Sequence, residues 1–284
     1  MNGSFKLKKW VVAVAVAGLG LSLAACGTSK DKATSSKSSG DKSDKVITVA
    51  SQTTPMTDVV KLAAKVAKSD GWDIKLVQVT DNVAYNDMVS SGEADASFAE
   101  HKPYMTKYNK EKQAKLVAVQ PIYNAKVGFY SKEYKAIDKI PDGSKVAIPN
   151  DPSNQGRALA ILAEQNLITL TAGVGANGTI KDVTANPKHL EWLQVDLLNL
   201  SEAYSEPGVA LVYNYPTYIA KLGLKPSDAL FLEKKIDDRF AIQVVAREDN
   251  EQSDKIKALK KAMTSQTVRD FLEKEHSATL IPAF

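Results

Sequence analysis

The sequence predicts an α/β protein built from two similar units that face each other across a cleft. Three observations carry this. Short apolar strands alternate with helical segments at the spacing of parallel sheets covered on both faces, over 46–120 and again over 127–246. Two segments echo each other: 91–98 (SGEADASF) and 206–215 (EPGVALVYNY) each run from a glycine turn through a small apolar strand into polar and aromatic residues. Ligands of open α/β sheets bind at the carboxyl ends of strands, so the echo points both polar ends toward one place. A chain of 284 residues also has room for two domains of ordinary size.

The elements follow in order. VITVA at 46–50 is a β-branched run and reads as a buried strand. The polar turn SQTTPMTD then opens a helix over 59–68. Residues 74–79 alternate and form a second strand; a helix over 82–90 ends at Gly92. A third strand covers 94–98, a helix starts over 100–108, and a fourth strand covers 116–120. In the second unit, strands are expected over 127–130, 145–148, 191–195, 209–213, 229–232 and 242–246. Helices are expected over 158–164, 201–204 and 216–222, and the chain closes with helices over 253–263 and 265–274 and a tail at 280–284.

Ahead of this body, residues 1–25 have the three parts of a secretory signal: Lys6, Lys8 and Lys9, an apolar run over 10–23, and small residues before Cys26. The apolar run is shorter and richer in small residues than a membrane span of ~20 residues. Two readings of Cys26 stand, a lipidated cysteine at the cleavage point or an incidental one after an ordinary signal. LAACG looks like a bacterial lipobox, and Cys26 is the sole cysteine of the chain, so lipidation is expected. Acyl chains there would anchor the chain to a membrane, each buried CH₂ contributing ~0.8 kcal/mol. Residues 26–45 hold no large apolar side chain and read as a flexible tether, roughly 20–25 Å in reach.

Charge excludes one class of partner. The formal net charge is +4, but Lys6, Lys8 and Lys9 supply three of it and residues 1–25 hold no acid, so the rest carries +1. The remaining lysines are mixed with acids, a solvated surface and no nucleic-acid stripe. A single cysteine and three scattered histidines (His101, His189, His276) exclude an internal disulfide and argue against a transition-metal carrier.

The most informative stretch is 148–159, IPNDPSNQGRAL. Arg157 is one of four arginines among 37 basic residues. Its planar fork binds carboxylates bidentately, where lysine offers a mobile point charge. At a helix start, beside free backbone N–H groups, it suits a carboxylate socket. Taken alone, the stretch fits a surface arginine equally well.

Several segments together resemble one family. ADASFAEHKPY at 94–104 looks like its DAN-x-FQH-x-PYL segment, and VAIPNDPSNQGRAL at 146–159 is close to its VAIPNDPTNEGRAL. DALFLE at 228–233 and the terminal IPAF at 281–284 also match. The family is the methionine-binding lipoproteins of ABC importers, the NlpA type, and the resemblance covers about 46–284. It implies the two-domain, type II periplasmic-binding-protein-like fold, with a ligand in the interdomain cleft. The lobes are then expected to be 46–125 with 236–284, and 126–235. The resemblance also implies an amino acid or short peptide as ligand, an ABC permease and its ATPase as partners, no cofactor, no metal, and a monomer lipid-anchored at the extracytoplasmic face of the bacterial membrane.

Site residues carry over one by one. Arg157 holds the ligand carboxylate, Asn214 helps hold the amino-acid backbone, and His101 and Tyr104 line the side-chain pocket; Asn154 of the PNDP-x-N run is counted with them. The chain also departs from the family. Met56 stands where TPGPH has histidine, Asn82 where DYV has tyrosine, and Ala99 where FQH has phenylalanine. Phe98 is one place earlier, and one place on a strand reverses the face. The carboxylate clamp is kept while Met56, Asn82 and Ala99 alter the side-chain pocket.

Other classes fare worse. There is no Gly-x-Ser-x-Gly elbow, and Cys26 sits in the leader boundary, so no Cys–His pair exists and an enzyme is not expected. Glu100 and His101 are adjacent on an expected helix start, which is a cleft wall rather than a metal pair. His189 and His276 read as surface, Trp72 and Trp192 as core. One of Tyr213 and Tyr215 should face the cleft and one should pack. A surface adhesin would share the anchor and tether, but has no use for the cleft and its arginine.

Overall fold

Mostly apolar side chains along the central strands dictate two buried sheets. The computed structural model of the chain describes residues 45–284. The leader, Cys26 and the tether, Lys45 apart, lie outside the described residues. The first sheet has the order β13-β4-β12-β3-β1-β2. Its strands are β1 (Val46–Ser51), β2 (Asp73–Gln78), β3 (Ala96–His101), β4 (Leu116–Ala125), β12 (Ile242–Arg247) and β13 (Leu280–Pro282). Helices α1 (Met56–Ala67), α2 (Ala84–Ser91), α3 (Lys102–Lys112), α7 (Asp254–Met263) and α8 (Gln266–Glu275) pack around it.

The second sheet has the order β11-β5-β10-β6-β9. Its strands are β5 (Gly128–Tyr130), β6 (Lys145–Pro149), β9 (Glu191–Val195), β10 (Val209–Asn214) and β11 (Phe231–Leu232). Helices α4 (Pro152–Glu164), α5 (Leu200–Ala203) and α6 (Pro216–Ile219) accompany it, and β7 (Thr169–Leu170) and β8 (Val183–Ala185) form a separate short pair. The chain passes from the first sheet to the second between β4 and β5, and returns between β11 and β12.

The sheets are mixed, where wholly parallel ones were expected. β1 runs parallel to β2 and β3, and β6 parallel to β9 and β10. β12 is antiparallel to both β3 and β4, β13 to β4, and β5 to both β10 and β11. The crossing accounts for this: a strand that returns from the other sheet enters at the end where β3 and β4 meet that sheet, so it runs against β3.

Among the helix starts that differ from expectation, those of α4 and α3 matter most at the site. α4 begins at Pro152, six residues before the expected position. Asp151 caps it by accepting from the Asn154 N–H at 3.0 Å, and Pro152 takes the first helical position, where its missing N–H costs nothing. Arg157 is therefore in the second turn, beyond the free N–H groups of the helix start. α3 begins at Lys102. Glu100 and His101 belong to β3, with His101 extended and its Nδ1 accepting from the Tyr104 N–H at 3.2 Å. His276 is half-buried against Phe271, 4.6 Å between ring centres, where a surface position was expected, while His189 is exposed. Trp72 and Trp192 pack against the core.

Candidate functional site

The carboxyl ends of β3 and β10 meet the start of α4 around a pocket of about 480 Å³, part of it open to solvent. From the first sheet's side come Met56 at the start of α1, Asn82 and Tyr85 around the start of α2, and Tyr104 of α3. Ala99, Glu100 and His101 of β3, Tyr123 and Ala125 of β4, and Ile242 of β12 complete that side. Asn154, Leu197, Tyr215, Thr217 and Tyr218 close it from the other.

The two sides are joined by hydrogen bonds. His101 Nδ1 accepts from the Tyr104 backbone, which puts the ring proton on Nε2, and this N–H donates to Asn154 Oδ1 at 3.1 Å. Asn154 Oδ1 also accepts from the Tyr215 hydroxyl at 2.8 Å, while Asn154 Nδ2 donates to the capping Asp151 at 3.0 Å. Both ends of this carboxamide are committed, so its orientation is set. Tyr218 donates to Gln52 Oε1 at 3.4 Å, Gln52 Nε2 donates to Asn82 Oδ1 at 3.2 Å, and the Tyr104 hydroxyl donates to the Asn82 carbonyl at 3.1 Å. Burial, with a smaller contribution from the Arg157 charge, pushes the His101 imidazole down to about 4 against the help of Asn154, so it is neutral at pH 7.

Arg157 lies one hydrogen bond behind this wall. It is 1% exposed, and its Nη1 donates to the Tyr215 hydroxyl at 3.2 Å. Nε and Nη2 donate to the two oxygens of Glu233 at 3.0 and 2.5 Å, a bidentate buried pair. Burial opposes its charge, but Tyr215, Tyr213 and Glu233 around it hold the guanidinium firmly cationic. Phe240, on the returning segment, stacks against Arg157 at 4.5 Å and meets the His101 ring edge-on at 5.0 Å. Three of the five guanidinium N–H groups are thus used, and one remains on each Nη. Gly156 sets the depth of the helix here: a Cβ at that position would lie 2.3 Å from the Ala176 carbonyl oxygen.

Of the residues expected at the site, Met56, Asn82, Ala99, His101, Tyr104 and Asn154 are brought together on the cavity wall. Arg157 and Asn214 are not among the lining residues. Asn214 is buried at the end of β10, its Oδ1 accepting from the Tyr215 N–H at 3.0 Å and its Nδ2 without a partner. Tyr215 lines the cavity and Tyr213 is packed in the core. Strand alternation does not separate these two, because residues two apart share a face; Tyr215 turns because β10 ends at Asn214. Phe98 packs edge-on against Tyr123 at 5.8 Å and leaves the wall to Ala99.

Sequence reasoning missed Tyr85, Tyr123, Tyr218 and, above all, Glu233; it read Glu100 as a cleft wall, which it is, but on a helix start rather than at the end of β3. Glu233 stands 76 residues from its partner Arg157, with no local signal beyond its place in DALFLE. Glu100 is 3% exposed, its Oε2 accepting from Asn86 Nδ2 at 3.0 Å and its Oε1 without a partner. Burial pushes its carboxyl up to about 8 against the Asn86 hydrogen bond. Among the described residues, no group of His, Cys, Asp and Glu is placed to hold a metal ion, and no helix is long and apolar enough to cross a membrane.

The chain is similar to known proteins over most of its length. The sequence model of the NlpA lipoprotein family matches residues 47–284. The D-methionine-binding lipoprotein MetQ of Escherichia coli K12 is 37% identical over 218 residues, 76% of this chain and 80% of that protein. A crystal structure of a YaeC-family lipoprotein from Enterococcus faecalis is 49% identical, with a TM-score of 0.76, covering 84% of this chain and 100% of the other. A nutrient-binding protein from Burkholderia cenocepacia, solved bound to methionine, is 32% identical, with a TM-score of 0.79 and 84% and 100% coverage. The fold is that of the two-domain periplasmic binding proteins, and the family is one of binding proteins, not of enzymes.

Proposed function

The chain belongs to the NlpA lipoprotein family, and from that premise we propose that it captures an amino acid or short peptide between its two lobes and delivers it to an ABC permease and its ATPase. The lobes are 46–125 with 236–284, and 126–235. The observation that carries the reading is the wall itself: β3 of one sheet and α4 of the other meet over a partly open pocket, joined through His101 and Asn154. Methionine is the first ligand to test, because the Escherichia coli relative is named for its D-isomer and the Burkholderia protein was solved with methionine.

The amino-acid carboxylate is held by the two uncommitted N–H groups of Arg157, with Glu233 holding the opposite edge of the fork in place. Asn154 and Tyr215 stand between cavity and guanidinium, and they exchange one partner for the ligand as it enters. Asn214 Nδ2, which has no partner in the free chain, donates to the ligand backbone. His101 and Tyr104 pack on the side chain, with Met56, Asn82 and Ala99 setting its shape. Ligand contacts from both lobes favour the closed form, and the closed form is the one the permease recognises. Cys26, lipidated after removal of 1–25, anchors the chain at the extracytoplasmic face of the membrane, and the tether gives the body reach.

Arg157→Lys is the discriminating change. It keeps a charge beside Glu233 but loses the fork. Calorimetry with L-methionine is expected to show affinity reduced by ~2 kcal/mol or more, with the melting transition still cooperative. Unchanged affinity would remove Arg157 from the site.

A further inference from the structure

Resting on the amino-acid reading above, we propose that Glu100 makes this cavity selective for a cationic side chain, that of a basic amino acid, by supplying the anion at the far end of a tyrosine-lined box. Glu100 is the one acid among the lining residues described. No ion pair among the described residues reaches it, and its Oε1 has no hydrogen-bond partner. Buried carboxyl groups are normally paired, because an isolated charge in an apolar setting is costly. Here the partner is missing from the chain, so a ligand can provide it.

The surroundings suit a cation. Tyr85, Tyr104, Tyr123, Tyr215 and Tyr218 line the same cavity, and rings around a carboxyl favour an ammonium through their negative faces. Ala99, next to Glu100, leaves room for a longer side chain than a phenylalanine at that position would. Arg157 and Glu100 are held by different neighbours, Tyr215 and Glu233 for the one, Asn86 of α2 for the other. A ligand whose carboxylate is at Arg157 therefore leaves Glu100 unoccupied for its side chain.

The charge balance is explicit. In the free chain Glu100 carries a proton, as burial dictates for an acid without a cation. When an ammonium enters, that proton leaves to solvent and a carboxylate–ammonium pair forms. The groups that face Glu100 are Asn86 and Tyr85 of α2, Tyr104 and Tyr108 of α3, and Gln243, paired with it from β12. Of these only the tyrosines titrate, and burial holds all three above the usual tyrosine range. One proton released per cationic ligand is therefore Glu100's.

The test is calorimetry of the full chain in detergent at pH 6.5, with L-lysine, L-ornithine, L-glutamine and L-methionine, in two buffers of different ionisation enthalpy. The proposal expects lysine or ornithine to bind more tightly than methionine and to release close to one proton. Glu100→Gln, which keeps the shape and the Asn86 hydrogen bond, is expected to weaken the cationic ligand about 100-fold or more and to abolish the proton release. Proton release by the unmodified chain stands as a readout even if the variant folds poorly. Methionine binding with no response to lysine or ornithine would overturn the proposal and leave the amino-acid reading intact. No response to any of the four would overturn both.

Discussion

His101 and Asn154 meet at 3.1 Å, one at the end of β3 and the other in the first turn of α4, and with the bond from Tyr218 to Gln52 they join the two sides. Each partner is fixed from behind: His101 by the Tyr104 N–H, Asn154 by Asp151 and Tyr215. The contact holds the wall shut and also orients Tyr215 toward Arg157. Replacing Asn154 with leucine keeps the volume but strips both functions. Amino-acid affinity is expected to fall roughly 10- to 100-fold, and calorimetry checks it.

The same imidazole sets an acid limit. Its folded pKa, lowered by burial to about 4, is below the ordinary 6.5. Its contribution to stability is complete above pH 6.5 and is lost as pH falls toward 4, by up to about 1.4 kcal/mol per unit. Thermal melts of the ligand-free chain from pH 7 to 4 should show this decline, and His101→Gln, which still donates to Asn154, should flatten it.

Glu100 gives the opposite slope. Its folded pKa, raised by burial to about 8, is above the ordinary 4.5. Its favourable contribution is complete below pH 4.5 and is lost as pH rises to 8. The Glu100→Gln variant should therefore melt higher than the parent by a margin that grows between pH 5 and 8 and then levels off. A margin that does not change with pH would mean the carboxyl is ionised in the folded chain.

Gly156 is a packing constraint rather than a flexible joint. A methyl group on its Cα would sit 2.3 Å from the Ala176 oxygen and 2.9 Å from the Gly178 oxygen, so Gly156→Ala must push α4 away from its neighbour. Destabilisation of about 1–3 kcal/mol by denaturant titration is expected, together with weaker ligand binding because Arg157 moves with the helix.

The legible parts of the sequence were those whose cause is local. Asp151, Pro152 and the apolar run after them announce a helix, and the echoed strand ends at Phe98 and Tyr213 announce that two sheets point their carboxyl ends together. Reading the start of α4 at Ala158 failed because Asn154 and Gln155 look like loop residues. They are buried in the helix by contacts with His101 and Gln194 that come from far along the chain. Glu100 was placed at the start of a helix over 100–108. The extended backbone at His101, stabilised by its own side chain capping α3, carries the strand three residues further than expected. Glu233 as the partner of Arg157 depends on the returning crossover, which no local pattern encodes.

The central claim is that the guanidinium of Arg157, steadied by Glu233, takes the carboxylate of an amino acid enclosed between the lobes. The most direct measurement is calorimetric titration of the full chain with L-methionine and L-lysine, each beside its α-carboxamide, in the parent and in Arg157→Lys. The account predicts that whichever acid binds the parent loses about 100-fold or more when its carboxylate is blocked, and that the variant binds acid and amide with the same weak affinity. An amide that binds the parent as tightly as the free acid would contradict it.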